Sequence, residues 1–95
     1  PPVNEQAMPF MEILHYTHSE QWRYREVTRQ VCNSHNVPYL DVLDLWLNRG
    51  EAWWQPRISA DGLHPNTLGY RALLQDILTW DAFQVAVDLA QPVLV

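Results

Sequence analysis

Between two stretches patterned as helices, this chain offers one segment that reads as a buried strand: Val37-Pro38-Tyr39-Leu40-Asp41-Val42. It is apolar except near its end, the pattern of a strand covered on both faces, as in a parallel sheet. Pro38 is tolerable there only because it lies near the start. One strand cannot make a sheet, since its backbone donors and acceptors need neighbours. The chain has at most one other candidate strand, in its tail. Helix, buried strand, helix is half of an α/β layer pattern. The expectation is therefore an α/β fold whose other strands are supplied from elsewhere. The opening Pro1-Pro2-Val3 agrees: it has no initiator Met and is not a signal peptide, so the chain is expected to be a piece of a longer protein.

The flanking helices have clear signals. Thr17 is placed to cap a helix, with Glu20 three residues on to complete a capping box. Tyr24, Val27 and Val31 then recur at helical spacing on one face, with Cys32 beside them, and predict a buried stripe. Arg23, Arg25, Glu26 and Arg29 fall mostly on the other face. Asn36 suits the position just past the helix end, and Pro38 stops continuation. Residues 1–16 read as a surface connection with a short helical turn at Phe10–His15. Leu43–Leu47 reads as one or two helical turns, and Arg49–Ile58 as a loop. Asn66 caps a further helix running to about Trp80, with Leu74, Ile77 and Leu78 on its buried stripe. In the tail, Phe83, Val85, Val87 and Leu89 alternate like a strand, while Phe83, Ala86, Val87 and Ala90 are spaced like a helix face. Nothing at Asp81-Ala82 breaks a helix, which favours helix.

Composition excludes several function classes. The 95 residues allow at most one small domain, and 47% hydrophobic residues are enough to bury a core. The net charge of −5, from 11 acidic residues against 6 arginines and no lysine, argues against a nucleic acid or anionic membrane partner. No apolar run approaches the roughly 20 residues that span a bilayer. Cys32 is the single cysteine, so no internal disulfide forms.

The chemistry-bearing segment is Asp61-Gly62-Leu63-His64-Pro65-Asn66. Gly62 permits a tight turn that brings a carboxylate to an imidazole. Pro65 restrains the chain after His64, and Asn66 starts the helix. Asp61 can accept the Nδ1–H of His64, fix its tautomer and leave Nε2 free as a general base. The same residues also make an ordinary turn and helix start with a solvated histidine. No nucleophile for the base is evident: Ser19, Ser34 and Ser59 are the only serines.

That segment, followed by Gly69-Tyr70 in the helix, resembles the last sequence block of the SGNH hydrolases, also called GDSL lipases/esterases. The strand at 37–42 resembles the last strand of that family's sheet, and Pro1-Pro2-Val3 resembles its proline-containing segment after an earlier strand. The resemblance covers residues 1–80 and leaves 81–95 as a C-terminal extension. It implies a three-layer α/β/α, flavodoxin-like fold with a parallel sheet, of which this chain is the C-terminal part. It implies a serine esterase or lipase acting on an ester, with His64 as general base and Asp61 orienting it, and no metal or other cofactor. The family's Gly-Asp-Ser block and its Gly and Asn oxyanion blocks are absent. An N-terminal portion of the same enzyme would supply that Ser, Gly and Asn.

Other groupings have bland readings beside their functional ones. Trp53 and Trp54, in the segment leading to Asp61, suit a substrate pocket or the edge of a core, and Leu63 beside His64 suits either as well. His15 and His18 would share a helix face, but a zinc site needs three or four ligands. Cys32 fits an inert core thiol. Asp41 and Asp44 need no chemistry at a strand end. Arg71 suits solvent or an ion pair with Asp76 or Glu51. Two non-catalytic alternatives remain: a binding or assembly module docking through its Trp-rich surface, and a degenerate hydrolase homologue that has lost its serine.

Overall fold

A computed structural model describes residues 1–8 and 16–91. The expected turn at Phe10–His15 lies outside the described residues. Among the described residues, five helices and a short 3-10 turn follow one another: α1 (His18–Ser34), α2 (Val42–Arg49), α3 (Glu51–Trp54), the 3-10 turn Gln55–Arg57, α4 (Thr67–Leu78) and α5 (Asp81–Ala90). Among the described residues, β pairing is limited to one antiparallel bridge between Ile58 and Pro65.

The helix ends are written locally. Thr17 Oγ1 accepts the Glu20 N–H at 3.2 Å, which is half of the expected capping box. The other half does not form, because the Glu20 carboxylate accepts instead from Arg23. At the far end Asn36 has φ +54°, and the Val37 N–H reaches back to the Cys32 carbonyl at 2.8 Å while the Asn36 N–H reaches Asn33 at 3.3 Å. This is a Schellman ending with Asn in place of Gly. Asn66 Oδ1 accepts from the Gly69 N–H at 3.0 Å and caps α4 as expected.

The strand expected at 37–42 is not built as one. Residues 37–41 carry no ladder, and Val42 already belongs to α2. Asp41, read as the close of a strand, is the N-cap of α2 and accepts the Asp44 N–H at 3.2 Å. Its other oxygen takes the Arg25 Nε–H at 2.6 Å, which ties this segment to α1. The segment expected to be a loop, 49–58, is largely helical in α3 and the 3-10 turn. The tail is helical, but as a separate helix entered at Trp80 rather than a continuation of α4.

The core is aromatic and small. Trp46 is fully buried on α2, joined by Trp54 and Ile58, with Val42, Leu45, Trp53, Ala72 and Leu73 packed around them. Deleting such a side chain costs about 3–5 kcal/mol. The Trp46 indole N–H donates to Asp76 Oδ2 at 2.8 Å, and the Arg49 guanidinium forks onto the same carboxylate at 3.1 and 2.6 Å. Asp76 thereby ties α4 to α2; of the two readings of Arg71, solvent or an ion pair with Asp76 or Glu51, the structure shows the first, with Arg71 exposed. Burial pushes the Asp76 carboxyl up, but the Arg49 and Trp46 donors outweigh this and hold it below its ordinary range.

Both apolar stripes expected to be buried are instead open. Tyr24, Val27 and Val31 on α1 are 67%, 60% and 53% exposed, and on α4 Leu74 and Leu78 are also exposed while Ile77 between them is half-buried. The reason lies in what each helix docks with. On α1 the polar edge is engaged, through Gln21 with residues 1–3 and through Arg25 with Asp41. On α4, Ala72 and Leu73 meet the core rather than Leu74 and Leu78. The radius of gyration, 15.9 Å, exceeds the about 12 Å of a compact domain of this length, in keeping with faces left uncovered.

Candidate active site

Between the bridge at Ile58–Pro65 and the cap of α4, the chain closes a short loop. The Ser59 N–H donates to the His64 carbonyl at 2.7 Å, and the Gly62 N–H to the Ser59 carbonyl at 3.0 Å. The Asn66 N–H donates to the Arg57 carbonyl at 2.9 Å, and its side-chain amide to the Pro56 carbonyl at 2.7 Å. The two strands of the loop are thus pinned together at its base. Helix α4 then leaves so close to the 3-10 turn that a Cβ at Gly69 would collide with the Arg57 carbonyl and with Pro65.

Asp61 stands at the tip of this loop. Its Oδ1 accepts two backbone N–H groups, from Leu63 at 2.8 Å and His64 at 3.1 Å. Its Oδ2 lies 2.6 Å from His64 Nδ1. The hydrogen bond from the His64 ring, followed by the two backbone donors, lowers the Asp61 carboxyl from its ordinary 3.8 to about 2. An ionised carboxylate can only accept, so Nδ1–H is the donor and the neutral ring carries its lone pair on Nε2. The His64 side chain is 70% exposed, and among the described residues no side chain bonds to Nε2. The result is an oriented imidazole with a free basic nitrogen, made by residues three apart.

The other residues singled out from sequence sit as follows. Leu63 is half-buried beside the pair. Trp54 is buried in the core, edge-on to the His18 ring at 5.4 Å. Trp53 is half-buried, edge-on to Trp46, with the Arg49 and Arg57 guanidinium groups over it at 4.4 and 3.9 Å. Of the serines, Ser34 turns its hydroxyl to the Gln30 carbonyl, Ser19 lies in the first turn of α1, and Ser59 meets His64 through the backbone. Cys32 is half-buried and free. Among the described residues no group of three or more His, Cys, Asp or Glu could hold a metal, and no helix is long and apolar enough to cross a membrane.

Sequence reasoning missed Asn4. Its N–H donates to the Gly62 carbonyl at 2.8 Å. A contact across 58 residues leaves no local signal; the nearest hint was that Gly62 needs φ +75°.

In comparisons with known proteins, residues 2–72 match the model of the GDSL-like lipase/acylhydrolase family. No curated protein and no solved structure matches the chain significantly.

Proposed function

Because this chain belongs to the GDSL-like lipase/acylhydrolase family, we propose that Asp61 and His64 are the acid–base half of a Ser-His-Asp triad in an ester hydrolase. The supporting observation is the 2.6 Å contact between His64 Nδ1 and Asp61 Oδ2, with Nε2 left free and exposed. In the reaction, a serine hydroxyl loses its proton to Nε2 as its oxygen attacks the ester carbonyl. The imidazolium, stabilised by the ionised Asp61, returns that proton to the departing alcohol. Water, activated by the same nitrogen, then releases the acid and frees the serine.

The serine and the Gly and Asn oxyanion donors are assigned to a portion of the enzyme N-terminal to these residues. The family's three-layer α/β/α arrangement is proposed with them. The exposed stripes of α1 and α4 support this, since each presents an apolar face of the kind that packs on a sheet. Residues 1–80 belong to the hydrolase domain on this reading, and 81–95 extend it. Leu63 and the half-buried Trp53 are assigned to acyl contact; Trp54, grouped with them from sequence, is buried in the core and is not assigned to it.

The test is hydrolysis of a short-chain p-nitrophenyl ester by the complete enzyme. His64→Ala should abolish turnover, and Asp61→Asn should lower kcat by about 10³–10⁴-fold. Near-normal turnover by His64→Ala would reject the mechanism. A wild-type enzyme with no turnover on any ester would favour the binding-module or degenerate-homologue reading.

A further inference from the structure

We infer that residues 1–8 form a strap that positions the Asp61–His64 turn, anchored on α1 by Gln21 and bearing on the turn at Gly62; this rests on reading the pair as an acid–base unit. The anchorage is specific. The Val3 N–H donates to Gln21 Oε1 at 3.0 Å, and Gln21 Nε2–H donates to the Pro1 carbonyl at 2.9 Å. Next to it, the Glu5 carboxylate accepts the His18 N–H at 2.6 Å. His18 Nε2–H donates to the Val3 carbonyl at 2.5 Å, and its ring rests edge-on against buried Trp54. Pro2, Val3 and Met8 are buried, so the strap is seated rather than draped.

Its other side meets the turn. The Asn4 N–H holds the Gly62 carbonyl at 2.8 Å. Gly62 is itself buried, and a Cβ there would lie 2.5 Å from the Asn4 carbonyl oxygen and 2.8 Å from Met8 Cγ. Only a glycine lets the strap approach this closely, and φ +75° independently asks for one. Gly62 separates Asp61 from the Leu63 and His64 N–H groups that bind its carboxylate. Fixing the Gly62 peptide therefore fixes where the Asp61 donors stand. The loop's own bonds run through Ser59 and the Ile58–Pro65 bridge, and none of them comes from α1. The strap is the path by which α1 bears on the site. Gln21 is a positioning residue on this view: it touches no reacting atom and acts through Val3 and Asn4.

The test uses the complete enzyme with Gln21→Ala, Gln21→Glu and Gly62→Ala. Gln21→Ala removes both anchoring bonds from a half-exposed surface position. A misplacement on the order of 1 Å at a reacting group costs about 10²-fold, so a partial loosening should lower kcat about 10-fold with KM within about 2-fold. Gln21→Glu keeps the acceptor for Val3 and should recover part of the loss. Gly62→Ala should lower kcat further. Independently of turnover, the Asp61 carboxyl should titrate closer to its ordinary range in Gln21→Ala, followed by carbon NMR. An inactive wild-type enzyme would sink the esterase reading, and the Asp61 titration would still decide the strap. A folded Gln21→Ala with unchanged kcat and unchanged Asp61 titration would overturn the strap, even if Gly62→Ala fails to fold.

Discussion

Removing the Asp76 carboxylate should be the most damaging single polar change in the described fold. Three donor contacts converge on it: the Trp46 indole N–H at 2.8 Å and two from Arg49 at 3.1 and 2.6 Å. In Asp76→Ala the Trp46 N–H is stranded in a fully buried position, a loss of about 1–3 kcal/mol. Arg49 also loses its partner, but its side chain is 31% exposed and water takes over, so this adds only about 1 kcal/mol. The sum, about 2–4 kcal/mol, corresponds to a fall in Tm of about 10–30 °C for a chain of this size. Asp76→Asn keeps a carbonyl acceptor and should cost about 1–2 kcal/mol. The assay is urea unfolding followed by tryptophan fluorescence, to which Trp46 contributes with the four other tryptophans. The sign with pH follows from the lowered carboxyl. Its stabilisation is complete above the ordinary carboxylate range and is lost as pH falls through the lower folded value. Asp76→Ala should therefore have a flatter acid limb of stability than wild type. An Asp76→Ala protein within about 0.5 kcal/mol of wild type would refute the reasoning that the indole donor is sealed from water.

Two further outcomes concern the site itself. Asn66→Ala removes the cap on Gly69 and the amide bond to the Pro56 carbonyl; it should cost about 1–2 kcal/mol in urea unfolding, and kcat should fall with it because His64 sits two residues away. The Asp61 carboxyl should titrate near pH 2, so its contribution to folding is full above about pH 4 and fades only between there and 2. A carbon-NMR midpoint at or above 3.8 would show that the contact with His64 is absent in solution.

What could be read from sequence, and what could not, divides by the range of the interactions. Thr17, Asn36, Asn66 and the Asp61–His64 turn were all legible, because each depends on bonds spanning a few residues and on side chains with one strong local use. The burial of Trp46 was not. Helix α2 is only eight residues long, too short for its apolar period to stand out, and it begins inside a run that reads equally as a strand. The stripes on α1 and α4 were legible as apolar faces, yet periodicity names a face that favours cover without naming what covers it. In this structure α1 docks by its polar edge, through Gln21 and Arg25, and leaves Val27 open. The Gly50 break, with φ +94°, let two short helices occupy what composition marked as loop.

The same division bears on how the site would work. Every bond that makes the Asp61–His64 pair spans two or three residues. The pair is therefore a property of the turn, formed wherever the turn forms. Its aim is a different matter. The turn that carries His64 is held from outside by three contacts: Asn4 on Gly62, Asn66 on Pro56, and Gly69 against Arg57. A general base contributes only when its lone pair meets the reacting proton within hydrogen-bond reach. Substitutions that spare Asp61 and His64 but loosen those three contacts should then keep the carboxylate–imidazole bond while displacing the Leu63 and His64 N–H donors, so that the Asp61 titration moves only partway towards its ordinary range as kcat falls. A base that is well made but poorly aimed is distinguishable in this way from one that is absent.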